Sequence, residues 1–304
     1  MSPTRYRGRL APSPTGRLHL GHARTFLVAW LRARQAGGQL VMRMEDIDRP
    51  RVVPGAAEAI LADLRWLGLD WDEGPDVGGP SAPYVQSERA TRYAEAAALL
   101  QTQGLVYPCT CSRKDIQDAS APHGVEGLGR RYPGICRESP SHPDRPAALR
   151  FRMPEPPPSF VDGLHGEVDT RAWGGDFVVR RGDGLWAYQL AVVVDDATMG
   201  VTEVVRGDDL LPSTPRQIAL FAALNLPVPR FFHLPLVLGG DGQRLSKRHG
   251  AAAIAELRSA GLTPEQVVGG LAHGLALVDR AIPVAARALI DADLGRIPRD
   301  PIVA

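Results

Sequence analysis

Two histidines three positions apart, His19 and His22, flank Leu20-Gly21 where a loop turns into a helical pattern. Imidazoles at a helix start, beside unpaired backbone N–H groups and the positive end of the helix dipole, suit a polyphosphate. Gly21 between them lets a ligand approach the backbone. A lone His-x-x-His is more often a capping or core pair, and its spacing also suits a metal. The lead-in Pro12-Ser13-Pro14-Thr15-Gly16 reverses that balance.

A second segment belongs with the first. Of 35 Lys and Arg residues only Lys114 and Lys247 are lysines, and Lys247 sits in Arg244-Leu245-Ser246-Lys247-Arg248, after the turn-forming Gly239-Gly240-Asp241-Gly242. A loop ammonium can cover a triphosphate and stabilise charge growing on departing pyrophosphate without any proton transfer. Alone, five such residues read as a solvated basic turn; in order after the histidines they complete a nucleotide site. Cys109, Cys111 and Cys136 make a third cluster, an odd number of thiols that favours metal ligation over disulfides in a reducing compartment. Lys114 beside them reads as a surface residue.

Several elements must position these groups. A strand over 6–10, a helix over 21–36 ended by Gly37-Gly38 and a strand over 39–44 open an α/β fold with a Rossmann-like, doubly wound parallel sheet, whose ligands bind beyond the carboxyl ends of its strands. Helices are expected over 55–67 and 88–103. The chain then turns Pro-, Gly- and Arg-rich, and Pro154-Glu155-Pro156-Pro157-Pro158 excludes helix and central strand. Residues 109–173 are therefore expected to form an inserted module that binds zinc, between catalytic segments 1–108 and 174–240. Alternation resumes with strands over 177–181, 201–206 and 233–238 and helices over 188–196 and 213–224. Residues 241–304 hold the lysine loop and a short helical appendage, opened by the capping box Thr263-Pro264-Glu265-Gln266, with no anticodon-binding domain expected.

A chain that is 44% hydrophobic and 23% charged can bury a sizeable core, and its net charge of +1 argues against a polybasic nucleic-acid arm. No window is apolar enough for a signal peptide or a membrane span, so the protein is expected in the cytoplasm, as a monomer.

His19-Leu20-Gly21-His22 and Arg244 to Arg248 resemble the two signature segments of the class I aminoacyl-tRNA synthetases. Arg9 to Gly16, Arg43 to Asp48, Gly55 to Glu58, Val192 to Asp196 and Val204 to Asp209 resemble the glutamyl branch, in order. The segment after Lys247 is too short for the helical anticodon-binding region of a full glutamyl-tRNA synthetase, and the chain is similar to the truncated family of that branch, the glutamyl-queuosine tRNA(Asp) synthetases. That resemblance implies Mg-ATP, L-glutamate and queuosine-containing tRNA(Asp) as substrates. His19, His22 and Lys247 would be catalytic, and His19, Gly21, His22 and Arg244, Leu245, Ser246, Lys247 and Arg248 would bind ATP. One departure is Arg244, where the family's loop opens with lysine.

The resemblance also implies a glutamate pocket at Arg9, Leu10, Ala11, Pro12, Ser13, Glu45, Tyr188 and Arg206, in which Arg9 or Arg206 grips the side-chain carboxylate and Glu45 and Tyr188 receive the ammonium. It implies structural zinc on Cys109, Cys111, Tyr132 and Cys136. Because a phenol must lose a proton of pKa ≈ 10 to ligate, His123 remains a chemically easier fourth ligand. A trimmed glutamyl-tRNA synthetase charging the tRNA 3′ end, a catalytically idle RNA-binding paralogue and a nucleotidylyltransferase are the competing readings.

Overall fold

The computed structural model describes residues 5–112, 114–116, 131–239 and 252–303. Strand β1 (Arg7–Leu10) leads through the Pro12–His19 loop into helix α1 (Leu20–Gln35), and β2 (Gln39–Met42) returns parallel to β1, Arg7 opposite Gln39 and Leu10 opposite Met42. Arg32 and Arg34 sit in the last turn of α1, where cations complement the helix dipole. The chain reverses at Gly37-Gly38, and a Cβ on Gly38 would lie 2.5 Å from the Tyr6 carbonyl oxygen, so only glycine allows that approach. Helices α2 (Ala56–Trp66) and α3 (Ala90–Thr102) follow, and then β3 (Val106–Cys109).

Strands β4 (Ala148–Phe151), β5 (Phe160–Asp162), β6 (Gly166–Val168) and β7 (Phe177–Arg180) divide between two sheets. β3, β4 and β7 form an antiparallel sheet, so the strand expected over 177–181 exists but lies outside the parallel strands. β5, within the stretch expected to be inserted, pairs parallel with β9 (Arg230–Leu234), which pairs parallel with β8 (Glu203–Gly207); β6 closes a hairpin on β5. Sequence alternation shows that a segment is a strand, but not which edge it joins. The β1–β2 pair meets β8 through the Thr202 N–H, which donates to the Arg7 carbonyl at 2.8 Å. The fold is α/β with mixed sheets.

Helices α4 (Tyr188–Thr198) and α5 (Thr214–Ala223) pack together beside α3. After β10 (Val237–Leu238), α6 (Ile254–Ser259) and α7 (Pro264–Gly274) close the described chain, with β11 (Ile302–Val303) paired parallel to β10. The capping box forms as expected: Gln266 N–H donates to Thr263 Oγ1 at 3.3 Å, and Thr263 N–H to Gln266 Oε1 at 2.8 Å.

Helix α4 carries Leu190 to Val194 into the core and, one step later, buries two carboxylates. Asp195 accepts from Arg89 Nε at 2.6 Å and from Gln86 and the Tyr93 hydroxyl at 2.8 Å. Asp196 accepts from Arg43 Nη1 at 2.7 Å. Arg43 is fully buried and spans Asp196 and Glu45, tying the end of β2 to α4. Removing one partner of such a pair leaves a buried charge uncompensated, at a cost of about 3–5 kcal/mol. D195A is accordingly expected to lower unfolding stability in urea by about 3–5 kcal/mol; a loss below 1 kcal/mol would show that this lattice does not hold the fold together.

Candidate active site

His19 is the N-cap of α1, with extended backbone (φ −106°, ψ 160°), and its ring centroid lies 6.4 Å from that of His22. A methyl on Gly21 would meet nothing within 4 Å, so a ligand has room to approach there. The lysine segment 244–248 lies outside the described residues, but the chain just after it is placed. Residue Ala253 forms an antiparallel bridge with His19, and the Ile254 N–H donates to the Leu18 carbonyl at 2.9 Å. The strand-like contact fastens residues 252–254, which follow the lysine segment in sequence, against the start of the histidine helix. Across the same contact lies a cavity of about 710 Å³, bounded by Gly16, His19, Pro54, Ala253 and Glu256.

The residues expected to hold an amino acid gather at the carboxyl ends of β1, β2 and β8. Arg9 and Arg206 are buried, and Tyr188 is half-buried at the first turn of α4. Arg9 donates from Nη1 to the Val205 carbonyl at 2.8 Å, and its Nε lies 3.6 Å from Asp196. Glu45 accepts from Arg43 at 2.9 Å, while its own N–H donates to the Pro12 carbonyl at 2.9 Å. Burial pushes the Glu45 carboxyl up, against the opposing pull of Arg43 and Arg9. Burial likewise raises the Tyr188 hydroxyl, with Arg206 and Arg9 resisting and Glu45 adding to it, which places these four groups within mutual electrostatic reach. Leu10 and Pro12 are buried, Ala11 is half-buried, and Ser13 is exposed at the strand end.

Arg206 is bound by neutral acceptors. Nε donates to His233 Nε2 at 3.0 Å, Nη1 to Gln217 Oε1 at 2.8 Å and Nη2 to Thr214 Oγ1 at 2.9 Å. Among the described residues no carboxylate lies within 4.0 Å of its guanidinium, not even the adjacent Asp208 or Asp209. His233 passes the contact on, its Nδ1 lying 2.6 Å from Asp162 Oδ2. Burial, reinforced by the charge of Arg206, outweighs the pull of Asp162 and brings His233 down to about 4, so the pair is a neutral imidazole donating to a carboxylate. The sequence marked Asp196 only as part of a matching segment and gave no role to Asp162, Thr214, Gln217 or His233. A usable signal was present in Val192 to Asp196, where two adjacent carboxylates interrupt an apolar helix face.

Cys109, Cys111 and Cys136 bring their sulfur atoms within 4.8 Å of one another. The Tyr132 hydroxyl lies 3.4 Å from Cys109 Sγ and 3.6 Å from Cys111 Sγ, and Arg150 stacks on its ring with the guanidinium carbon 3.8 Å from the centroid. Burial would raise the Cys136 thiol, but hydrogen bonds from Ser141 and the Thr110 backbone outweigh it and bring it down to about 5. Three converging sulfurs with a phenol oxygen among them are a donor set that fits a thiolate-preferring, four-coordinate metal. His123 lies outside the described residues.

This combination of fold and site is that of a class I synthetase. The family described as tRNA synthetases class I (E and Q), catalytic domain, matches residues 5–278. The chain is 56% identical over 97% of its length to the glutamyl-Q tRNA(Asp) synthetase of Symbiobacterium thermophilum, covering 94% of that protein. It is 49% identical to the glutamate–tRNA ligase of Anaeromyxobacter sp. over 88% of its length, but covers 58% of that relative. A crystal structure of a glutamate tRNA ligase from Elizabethkingia meningosepticum, in complex with its amino acid, superposes with a TM-score of 0.84 at 30% identity over 98% of this chain and 67% of that one. The chain belongs to the glutamyl-Q tRNA(Asp) synthetase family.

The depressed His233 pKa sets a pH dependence of stability. Its ordinary value is 6.5 and its folded value about 4. As pH falls through that window the unfolded chain takes up the proton first. The stability is therefore complete above 6.5 and lost as pH falls towards 4, on the order of 3 kcal/mol in all. H233Q, which has no proton to gain, is expected to show a flatter decline of thermal midpoint between pH 6.5 and 4.5; parallel curves would exclude His233 as the source.

Proposed function

We propose that this chain activates L-glutamate with Mg-ATP and transfers the glutamyl group to the queuosine base in the anticodon of tRNA(Asp). The observation that carries the amino-acid reading is Arg206: a buried guanidinium held rigid by His233, Gln217 and Thr214 keeps its charge available for an acidic guest. A glutamate side-chain carboxylate supplies a directly paired counter-charge, and glutamine does not. Glu45 and the Tyr188 hydroxyl, which share the charge set of Arg9 and Arg206, receive the α-ammonium. The queuosine reading is supported by the match along nearly the whole of the glutamyl-Q relative.

The first step needs little covalent help from the protein. The glutamate α-carboxylate attacks the α-phosphorus of ATP in line, the bond to the β-phosphate oxygen breaks, and pyrophosphate leaves. His19, Gly21 and His22 at the start of α1 place the triphosphate, and Lys247, six residues before the Ala253 that bridges to His19, holds the developing negative charge. Arg244 to Arg248 supply the remaining cationic contacts. In the second step a hydroxyl of the queuosine base attacks the acyl carbon and AMP departs. We read the parallel strands β2, β1, β8, β9 and β5 as one doubly wound sheet, with β3, β4 and β7 as the module that carries the metal centre and residues 252–303 as a helical appendage.

Zinc is the metal that the donor set favours, held by Cys109, Cys111, Tyr132 and Cys136, where it would tie residues 132–136 to the end of β3. It takes no part in the chemistry. Purified protein is expected to carry one zinc per chain by elemental analysis, and C136S to lose it together with several degrees of thermal midpoint. Metal content unchanged in C136S would place the ion elsewhere.

ATP–pyrophosphate exchange driven by glutamate without tRNA, followed by glutamyl transfer to tRNA(Asp) containing queuosine but not to tRNA(Asp) lacking it, is the expected behaviour. R206Q is expected to raise the glutamate KM by roughly 10- to 100-fold, the worth of a charge-assisted pair of hydrogen bonds. Exchange that appears only with tRNA(Glu) present would support instead a glutamate–tRNA ligase.

A further inference from the structure

Arg206 owes its aim to the tautomer of a neighbouring histidine, and that tautomer is set one residue further away. Arginine Nε always carries hydrogen, so the 3.0 Å contact from Arg206 Nε makes His233 Nε2 an acceptor. The ring proton must then be on Nδ1, where it is donated to Asp162 Oδ2 at 2.6 Å. The other oxygen of Asp162 cannot exchange places with the first. Oδ1 accepts three backbone N–H groups, from Leu164 at 2.9 Å, His165 at 3.1 Å and His233 at 3.3 Å. The carboxylate is thus locked in one orientation, and both it and the imidazole are fully excluded from solvent.

We propose that Asp162 and His233 are specificity-determining positioning residues: Asp162 fixes the Nδ1–H tautomer of His233, and His233 Nε2 in turn orients Arg206 to discriminate an acidic amino-acid side chain from its amide. Neither residue touches the substrate. The proposal rests on the reading that Arg206 grips the glutamate carboxylate. Thr214 and Gln217 also hold Arg206 through its Nη atoms, with the Gln217 amide turned by its nitrogen's bond to Gln189 Oε1 at 3.0 Å. The imidazole, clamped from behind by Asp162, is the partner that fixes the Nε edge.

A single isosteric change separates this role from packing. In D162N the three backbone N–H groups still require an oxygen at the Oδ1 position, which forces the amide nitrogen to face His233 Nδ1. That nitrogen donates, so the ring proton must move to Nε2, where it opposes the N–H of Arg206 Nε. Donor then faces donor, and the guanidinium turns away. The expected result in pyrophosphate exchange is a rise of about tenfold or more in the glutamate KM and a similar fall in the glutamate-over-glutamine ratio of kcat/KM, with the ATP KM unchanged. H233Q with Asp162 intact should keep the ratio, because the glutamine amide nitrogen can donate to Asp162 Oδ2 while its carbonyl accepts from Arg206.

A folded D162N that keeps the glutamate KM and the ratio within twofold overturns the proposal. So does a fall in kcat alone, equal for both amino acids, which is what a structural role produces. If D162N does not fold, H233Q against H233L carries the test: the first should keep the ratio and the second lose it, and equal ratios overturn the proposal. R206Q keeps the two levels apart. An unchanged ratio in R206Q refutes the pocket reading itself, whereas a lost ratio in R206Q with a retained one in D162N refutes only the role of Asp162 and His233.

Discussion

A guanidinium sealed inside a protein without a carboxylate paired to it must find neutral acceptors for its N–H groups, and the surroundings of Arg206 are built on that constraint. Arg206 meets it with His233 Nε2, Gln217 Oε1, Thr214 Oγ1 and the Leu210 carbonyl. Arg43 and Arg89, a few residues away in space, avoid it, each paired with a carboxylate of helix α4. The contrast assigns their work. A neutralised arginine ties elements together, while one that is solvated but not neutralised retains a field for a charged guest. Burying the latter is costly, and that cost is tolerated where a ligand repays it.

The same division separates the two halves of the site. The proposed amino-acid side draws on strand ends whose buried Arg9, Glu45 and Arg206 are each held by hydrogen bonds or ion pairs. The proposed nucleotide side draws on the N-cap of α1 and on chain from far along the sequence, through the backbone pairing of residues 252–254 with residues 18–20. Main-chain contacts of this kind hold position without depending on side-chain identity.

Much of this was legible in the sequence. The His19 and His22 motif, the capping box at Thr263 and the helix and strand of the opening unit could be read from residue type and spacing, because each depends on neighbours a few positions away. The three cysteines signalled their convergence by number alone. The allocation of strands was hidden: β5 and β7 look alike as short alternating segments, and only the edges offered by β9 and β4 decide which sheet each enters. Hidden too was the support around Arg206. Asp162, His233 and the pair Thr214 and Gln217, one turn apart on α5, come from three separate elements far apart in sequence, so no local pattern announces their convergence.

A buried Arg206 with no directly paired carboxylate among the described residues is proposed to make this pocket prefer a negatively charged side chain. Calorimetric titration of the wild-type chain with glutamate and with glutamine, without ATP or RNA, addresses it most directly. Glutamate is expected to bind roughly 10- to 100-fold more tightly than glutamine, with the difference shrinking as salt is raised only slightly, since the pair is shielded from solvent. Equal affinity for the two amino acids would contradict the account.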